Sequence, residues 1–539
     1  MYVLFWMLFS ILSCKATIQD EKKTLTPLSP LLKDAPYSLK ETSENKFYFE
    51  IKQMLENDPH ITDLIRLRKQ KYTQTKPRIL IVGAGPTGLM TAIDSYLAGA
   101  SSVTLAEART SYGRNTPIRI DGPKMDSSPS DFVDFITQLQ TILGKTAFSY
   151  LESNHIIVKS GLNHPPFTRS MKIKELEMTL AALLTVLQER DTSNNLQVLF
   201  GVRFLKSKQN HTENDVILES NQNLDPSKRK QIIVKTDFLI SAEGAKSETS
   251  TFINDKAPIV FSHEPVYAMI AIFSNSNQII PISTWTDSTQ NTQYKETSDL
   301  LDPLYTKTFS ALETNFHWDP FKIRGLSINM LPRTRLFVLR DVLYYGVELT
   351  QDQYNHFGQN RNQLEQLAKA RGALPLSSTA DQLVALPGTI DIAAFSIELK
   401  KKEKVFYPIK GTHILGFLLG DALAQTHFFT GSGLNRGFED GLHMGEMLDA
   451  WENSNTYNYQ EIFTNGTSHD PLLIDFDKKV TLSVATMFLK CNGSYNIPPD
   501  GTGKKGFIQL DKSVFETHFS SILPMLQAKS NYNSANWAN

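Results

Sequence analysis

The clearest pattern of hydrophobic and polar positions lies between residues 78 and 107. Arg78 to Val82 is an almost unbroken apolar run, typical of a strand buried in a parallel sheet. A helical pattern follows, and a second apolar run at Val103 to Ala106 ends at Glu107. The order strand, helix, strand predicts a βαβ unit. The apolar face of its helix consists of Leu89, Ala92, Ile93, Tyr96 and Leu97, and Gly99 ends it.

Further elements are predicted on both sides of this unit. Helices are predicted at Phe47 to Leu55, at His60 to Tyr72 and, from leucines at helical spacing, at Met171 to Arg190. Strands are predicted at Gln197 to Leu205, Val216 to Glu219, Gln231 to Lys235 and Phe238 to Ser241. From about Ala257 the chain changes character, with strands at Val266 to Ser274, Leu326 to Met330, Arg335 to Leu339 and Val342 to Leu349, and a helix at Asn360 to Arg371. A last strand at Ile414 to Leu418 precedes a helix that runs to about Ala450.

These elements predict an α/β protein with two lobes. Residues 77–256 and 398–452 form the first lobe, and residues 257–397 form a smaller, mixed, mostly antiparallel β lobe suited to a substrate cavity. Residues 15–76 are predicted to be a linker and N-terminal helices, and residues 453–539 a C-terminal helical extension. A length of 539 residues is enough for two packed lobes.

The charge balance and the cysteine content bear on whether the protein binds nucleic acid or a metal ion. Lys plus Arg is 55 and Asp plus Glu is 56, so the formal net charge of -1 gives no support for nucleic acid as a partner. The two cysteines, Cys14 and Cys491, have no zinc-type spacing with histidines. His413, His427 and His443 are interpreted as scattered helix and loop residues. No metal site is predicted.

The turn after the first strand carries a dinucleotide-binding pattern. Gly83, Gly85 and Gly88 have the spacing G-x-G-x-x-G, with Pro86 and Thr87 between the last two. The first glycine permits the tight turn, the second lets a diphosphate approach the backbone, and the third allows close helix–strand packing. The unpaired N–H groups and positive dipole end of the following helix favour the diphosphate. The sequence therefore predicts a Rossmann-type nucleotide site.

Glu107 defines the kind of nucleotide. It lies about 20 residues beyond the glycines, where an acid binds ribose hydroxyls and disfavours a 2′-phosphate. FAD or NAD is thus favoured over NADP. A second glycine match, Gly501 to Gly506, has no strand before it and is predicted to be a surface loop.

Three further segments favour FAD over NAD. Ser241 to Gly244 resembles the A-D-G motif of flavoprotein hydroxylases, with Glu243 in place of Asp, and Gly420-Asp421 resembles the G-D motif whose Asp binds the ribityl chain. Gly431 to Gly437 is a second glycine loop opening a helix, at that family's spacing. The positive helix end would stabilise negative charge on reduced flavin. The backbone N–H groups predicted to face the flavin are those of Gly433, Leu434 and Asn435.

Together these motifs resemble the p-hydroxybenzoate-hydroxylase class of FAD-dependent monooxygenases, and most closely the MICAL monooxygenase domain. The resemblance covers about Phe47 to Trp451. It implies that Arg109, Arg114 and Asn115 contact FAD, with Asn115 near the isoalloxazine ring. Phe428 and Phe429 stand where MICAL has Trp-Pro. The resemblance implies that the flavin carries the chemistry, so the catalytic residues stay unassigned, with Asn115 and Phe428 as candidates.

The resemblance implies a monooxygenase in which NADPH or NADH reduces FAD and O2 supplies the inserted oxygen, with H2O2 released when the reaction is uncoupled. The sequence contains no second strand–glycine–helix unit for the nicotinamide, so the reductant is expected to bind transiently. The substrate is a small molecule or a protein side chain. Two alternatives stay open: an FAD reductase or oxidase without oxygen insertion, and a non-catalytic flavoprotein or interaction protein on the same fold.

Residues 1–14 are a candidate targeting segment. Tyr2 to Leu12 is nearly all apolar, but it is shorter than the about 20 residues that a membrane span needs. A signal peptide or short membrane anchor suits the run better, although no Lys or Arg precedes it. We therefore expect export or membrane association. The alternative is a cytoplasmic location, because FAD and nicotinamides are concentrated inside cells.

Overall fold

The computed structural model describes residues 38–39, 41–121, 134–159, 168–205, 214–220, 231–262, 265–274, 334–338, 342–349, 351–357, 360, 389–426, 432–451, 470–493, 510–528, 532 and 537–538. Several sequence predictions lie outside these residues: the targeting segment 1–14, the strand at Leu326 to Met330, the helix after Asn360, the loop at Gly501 to Gly506, and Phe428 with Phe429.

A six-stranded sheet carries the predicted βαβ unit. Its strand order is β17-β18-β10-β1-β2-β6, and every neighbouring pair is parallel except β17–β18. Its residues are almost all buried, as the apolar runs in the sequence require. The predicted parallel α/β fold is confirmed. The strands are β1 (Arg78–Val82), β2 (Ser102–Glu107), β6 (Leu196–Phe200), β10 (Phe238–Ser241), β17 (Phe406–Pro408) and β18 (Leu415–Leu418).

The strand order reverses direction between β1 and β10. From β1 the chain adds β2 and β6 on one side, whereas β10 and β18 lie on the other. Ligands of open α/β sheets bind at the carboxyl ends of strands beside such a switch point. Backbone hydrogen bonds continue past the strand ends, from Gly83 N to Ala106 O (2.8 Å) and from Ala242 N to Val82 O (2.8 Å). The turns after β1, β2 and β10 therefore begin at one edge of the sheet.

Helices cover this sheet. The two N-terminal helices lie within about one residue of their predicted positions, and α1 packs against α5, the leucine-rich helix. Helix α5 begins at Ile173 and not at Met171, because Met171 belongs to a strand that pairs with Pro117–Asp121. The helices are α1 (Lys46–Glu56), α2 (Pro59–Lys71), α3 (Pro86–Leu97), α4 (Phe135–Ser153), α5 (Ile173–Arg190), α6 (Glu248–Ile253), α7 (Gln351–Phe357) and α8 (Ser432–Trp451).

The predicted strand at Gln197 to Leu205 was wrong in one respect, because it is two strands. Gly201 has a φ of +71°, which breaks the extended backbone. The residues before it join the six-stranded sheet, whereas those after it pair within an antiparallel β7-β8-β9 sheet. The strands of this sheet are β7 (Val202–Leu205), β8 (Asp215–Ser220) and β9 (Gln231–Lys235), and a further small sheet contains β3 (Pro117–Asp121), β4 (Val158–Lys159) and β5 (Thr168–Lys172).

The described strands of the second lobe are antiparallel, as predicted. The longest, β12, pairs with β14 on one side and β15 on the other, and β13 adds to β14. This sheet consists of β12 (Val266–Ser274), β13 (Thr334–Val338), β14 (Val342–Leu349) and β15 (Thr389–Ile397). A three-stranded antiparallel sheet contains β11 (Ile259–Ser262), β16 (Lys400–Lys402) and β19 (Ala424–Gln425).

The described part of the C-terminal extension is mainly helical. It packs through aromatic rings: the Phe261 ring centroid lies 4.7 Å from that of Phe488 and 6.3 Å from that of Phe519. Its elements are α9 (Pro471–Gly493), β20 (Leu510–Asp511), α10 (Lys512–His518), α11 (Leu523–Gln527) and β21 (Trp537–Ala538). None of the described helices has the length and hydropathy of a bilayer span.

Candidate nucleotide-binding site

A cavity of about 620 Å³ opens at the carboxyl ends of β1, β2, β10 and β18. Its volume lies within the range of about 300–1,000 Å³ common for small-molecule sites. Its wall includes the turns that follow all four strands, and the chain sections that form it are far apart in sequence. The sequence-predicted residues on the wall are Gly83, Gly85, Pro86, Thr87, Glu107, Arg109, Arg114, Glu243, Gly420, Asp421, Gly433 and Leu434.

The first glycine turn has the geometry that its sequence predicts. Gly83 has a φ of +102°, and a Cβ built on it would lie 2.6 Å from Ala242 O. A Cβ on Gly88 would lie 1.9 Å from Gly83 O, so α3 approaches the turn as closely as backbone allows. Gly85 differs, because a Cβ there would be 4.0 Å from its nearest neighbours. Gly85 thus faces the cavity and leaves room for a ligand beside the N-terminus of α3.

The second glycine loop meets the first through Thr87. Gly420 has a φ of +57°, and a Cβ built on it would lie 2.8 Å from Thr87 Oγ1. A Cβ on Gly437 would lie 2.1 Å from the same atom. Thr87 belongs to the first motif, whereas Gly420 and Gly437 belong to the motifs that favour FAD. The fold therefore brings the predicted motifs into one site.

Helices α3 and α8 run side by side in the same direction. A Cβ on Gly441 would lie 2.9 Å from Thr91 N, and one on Gly445 would lie 3.3 Å from Asp94 Cβ. Together with the contact between Gly437 and Thr87, these pairs advance along both helices in step. Both positive N-terminal ends consequently reach the same cavity. The spacing of Gly437, Gly441 and Gly445, every fourth residue, is a sequence signal for this close packing.

Glu107 is a buried acid whose carboxylate is fully bonded. Its oxygens accept hydrogen bonds from Ala84 N (2.7 Å), Arg109 N (2.8 Å), and Arg109 Nε and Nη2 (2.9 and 3.0 Å). Burial alone would raise the pKa of Glu107, but the Arg109 guanidinium and these amide bonds outweigh it and lower the pKa below its ordinary value. Glu107 is therefore an anion that holds Arg109 beside the cavity.

Glu177 is a buried acid behind the cavity wall, and the sequence alone did not indicate its role. It lies on α5, its side chain has no exposed surface, and its Oε1 contacts Arg114 Nη2 and lies 3.8 Å from Arg109 Nη1. A Cβ built on Gly85 would lie 4.0 Å from Glu177 Oε1. The available signal was an acid next to Leu176, within the leucine stripe of a core-facing helix, where a charge needs a partner.

Asp421 faces the cavity from a turn that a hydrogen bond to Asp440 holds in place. Its side chain is accessible from the cavity but lies deep within the protein, and this burial raises the pKa of Asp421, although Arg436 and Arg114 lower it. Asp440 of α8 accepts a hydrogen bond from Gly420 N (2.7 Å) and one from Arg436 Nη2 (2.5 Å). Asp440 thus fixes the turn that presents Asp421.

Glu243, which replaces the Asp of the A-D-G motif, uses its longer side chain for a local role. Its Oε2 accepts hydrogen bonds from Ser247 Oγ (2.6 Å) and Thr249 N (3.0 Å) at the start of α6. The residue lines the cavity. Its carboxylate, however, stabilises the helix N-terminus.

Some predicted site residues are not on the cavity wall. Among the described residues, Asn435 is buried within α8 and Asn115 is half-buried in the loop before β3, and neither lines the cavity. Gly88 lies beneath the turn. Conversely, the wall extends to residues without a sequence prediction, namely Ala108, Ile173, Val202, Arg203, Lys246 and Glu248.

Comparisons with known proteins agree with this architecture only at low similarity. No family model matches the chain, and no curated protein matches it. The anhydrotetracycline hydroxylase OxyS from Streptomyces rimosus matches at 14% identity and a TM-score of 0.44, over 85% of this chain and 74% of that one. The tetracycline destructase Tet(51) matches at 12% identity and a TM-score of 0.45, over 85% and 95%.

A third match is PqsL from Pseudomonas aeruginosa, described as a probable FAD-dependent monooxygenase. It has 13% identity and a TM-score of 0.42, over 77% of this chain and 97% of that one. All three TM-scores lie below 0.5. The α/β fold is therefore assigned from the strand order of this chain.

Proposed function

We propose that the chain binds FAD in this cavity and acts as an FAD-dependent monooxygenase. The observation that carries the proposal is the contact of Thr87 with Gly420 and Gly437. A single glycine turn with a terminal acid suits either NAD or FAD. The same cavity also has a second helix N-terminus, with Asp421 beside it. These groups suit a ligand that extends beyond the adenosine diphosphate part of a dinucleotide.

The residues present fit FAD. The open space at Gly85 and the N-terminus of α3 would hold the diphosphate. Glu107 would accept from the adenosine ribose once Arg109, which occupies its carboxylate in this structure, turns towards the diphosphate. Asp421 would bind the ribityl hydroxyls. The N-terminus of α8 at Gly433 and Leu434 would lie at the pyrimidine end. Glu107 is ionised, and its negative charge disfavours a 2′-phosphate on the ribose.

The protein's contribution would be orientation and charge stabilisation. Bound FAD would supply hydride acceptance from NADPH or NADH and reaction with O2. The α8 N-terminus carries a partial positive charge that would stabilise an anionic flavin edge. The likeness to the MICAL domain, the nicotinamide and a small-molecule or side-chain substrate all belong to this proposal. The placement of Arg109, Arg114 and Asp421 on one cavity supports FAD binding, and the reductant and substrate follow only from the sequence resemblance.

The test is purification of the full chain followed by an absorbance scan and titration with FAD. We expect the oxidised-flavin spectrum, or its appearance on reconstitution. Anaerobic addition of NADPH or NADH should bleach it, and O2 should restore it. A colourless protein that takes up no FAD contradicts the proposal.

The same experiment separates the alternatives. Incorporation of labelled oxygen from O2 into a product supports a monooxygenase. Flavin reduction and reoxidation with every candidate substrate left unmodified supports a reductase or oxidase. A chain that binds FAD but accepts no electrons supports a non-catalytic flavoprotein.

A further inference from the structure

Four charged side chains form a cluster beside the position proposed for the FAD diphosphate. Arg109 is bonded to Glu107 through Nε (2.9 Å), and Arg114 contacts Glu177. Arg109 Nη1 also lies 3.8 Å from Glu177 Oε1. Two guanidinium groups and two carboxylates give this cluster no net charge when all four are ionised. An FAD diphosphate would add two negative charges.

Glu177 is the member of the cluster with unused hydrogen-bonding capacity. Glu107 accepts four hydrogen bonds from Ala84 and Arg109. In contrast, Oε2 of Glu177 has no hydrogen-bond partner among the described residues, although it is buried. Its Oε1 lies 4.0 Å from where a Cβ on Gly85 would be, at the point where the turn faces the cavity. A phosphate at Gly85 would therefore be a close neighbour of this carboxyl group.

The groups that face Glu177 decide its protonation. The loop after β2 provides Arg109, Tyr112 and Arg114, and β2 ends at Glu107. Helix α3 provides its N-terminus, where a Cβ on Gly85 would lie 4.0 Å from Glu177 Oε1. Burial raises the pKa of Glu177, the two arginines lower it, and Glu107 raises it, with a net increase.

A bound diphosphate changes this balance in one direction. It attracts both arginines, which weakens the interactions that keep Glu177 ionised, and it adds negative charge nearby. Both effects favour the neutral acid in the complex.

We propose that Glu177 takes up one proton from solvent when the diphosphate of FAD binds beside Gly85, so that FAD affinity falls as pH rises. This inference rests on the proposed function. The O–H bond formed on Glu177 is the only covalent change. Between the pKa of Glu177 in the free protein and its higher pKa in the complex, one linked proton weakens FAD binding by up to about tenfold per pH unit.

The test is FAD titration of the flavin-stripped full chain at a series of pH values, with calorimetry in two buffers of different ionisation enthalpy. The wild type should take up as much as one proton and bind FAD more weakly as pH rises. Glu177→Gln should lose this pH dependence and bind FAD at least as tightly as the wild type at high pH. Asp94→Asn should keep it, because Asp94 also titrates but lies against Gln138 and Gly445, whereas Glu177 pairs with the two arginines.

The outcomes separate this inference from the proposed function. FAD binding with no pH dependence and no proton uptake overturns the role of Glu177 and leaves the flavoprotein proposal standing. A pH dependence that survives in Glu177→Gln assigns the proton elsewhere, with Asp421 the next candidate, and also overturns it. Absence of FAD binding at every pH counts against both. If Glu177→Gln does not fold, Asp421→Asn is the second test: proton uptake and pH dependence should survive in it, and their loss assigns the proton to Asp421 and overturns the role of Glu177.

Discussion

Asp421 illustrates how a single residue depends on its surroundings. The side chain faces the cavity from a turn that Asp440 holds through Gly420 N. If Asp421 binds the ribityl hydroxyls, Asp421→Ala leaves those hydroxyls with one partner fewer. The loss is expected to be about 1–3 kcal/mol, a rise of roughly 5- to 150-fold in the Kd for FAD. Fluorescence titration of the flavin measures it.

The matched control is Asp475→Ala. Asp475 is an exposed residue of α9 whose carboxylate pairs with Lys479 at 3.1 Å. Its removal should leave FAD affinity unchanged, because the residue does not line the cavity. Equal affinities of Asp421→Ala and the wild type would exclude the ribityl role of Asp421.

Asp94 gives a residue-scale prediction about pH. Burial raises the pKa of this carboxyl group from 3.8 to about 7, although Gln138 Nε2 donates to it at 3.3 Å. The folded state therefore binds a proton that the unfolded state has released between about pH 4 and 7. Stability contributed by this group is present below pH 4 and is lost as pH rises to 7, by at most about 1.4 kcal/mol per pH unit.

Asp94→Asn removes this linkage. Urea unfolding at pH 5 and pH 8 should show the wild type losing more stability than the variant between the two pH values. The variant keeps an amide oxygen for Gln138 and carries no charge. An identical loss in both proteins would show that Asp94 is not the group responsible.

The residues of the site were predictable from sequence where local geometry determines their type. Gly83 needs a positive φ and Gly88 lies against Gly83 O. Glycine is therefore required at both positions, and one short motif contains them. Glu177 was not predictable in this way, because its partners Arg109 and Arg114 come from a different element. Only the assembled fold shows that an acid in a leucine stripe faces two arginines.

At the scale of elements, the packing of α3 against α8 places the second helix end at the site. A Cβ on Gly441 would lie 2.9 Å from the backbone atom Thr91 N, whereas one on Gly445 would lie 3.3 Å from Asp94 Cβ. Alanine gains about 1 kcal/mol of helix propensity at either position. Overpacking at Gly441 should outweigh this gain, since such strain costs about 1–3 kcal/mol.

We therefore expect Gly441→Ala to lower both the free energy of unfolding and FAD affinity. Gly445→Ala, the same substitution one turn later, should cost less stability than Gly441→Ala, because its nearest contacts are longer. Urea unfolding and FAD titration of the two variants measure the difference. Equal stabilities would mean that the close contact at Gly441 relaxes without separating the helices.

Elements were predictable where the apolar pattern extends over one uninterrupted segment. Strand β1 has the bounds that its apolar run predicts, and α1 and α2 differ from their predicted bounds by about one residue. The break at Gly201 was not predicted, because the apolar residues on both sides of it form one continuous pattern. Their assignment to two sheets depends on pairing with distant strands. Helix α4 was also not predicted, and it contains a kink at Gly144 with a φ of +76°.

At the scale of the whole molecule, hydrogen bonds join the N-terminal segment to the helix and the loop that carry the charged residues of the site. Tyr48 of α1 donates to Thr185 of α5 (3.0 Å), the helix that carries Glu177. Asn45 Nδ2 donates to Thr110 O (3.1 Å), next to Arg109. The N-terminal segment therefore supports both the acid and the arginine loop. The sequence predicted the helices but not these contacts, because the hydrogen bonds join residues far apart in sequence.

Arg68 is a buried charged contact between α2 and the sheet lobe. It is 1% exposed, its Nε lies 3.8 Å from Asp191 Oδ2, and its guanidinium stacks 4.7 Å from the Tyr96 ring centroid. Arg68→Met keeps the length of the side chain but leaves Asp191 without its cation. Breaking a buried pair in this way costs about 3–5 kcal/mol.

Urea unfolding should show this loss, whereas Arg66→Met, on the exposed side of the same helix, should change stability by less than about 0.5 kcal/mol. Similar values for the two variants would mean that Tyr96 and Ser193, which also bond Asp191, stabilise its charge without Arg68.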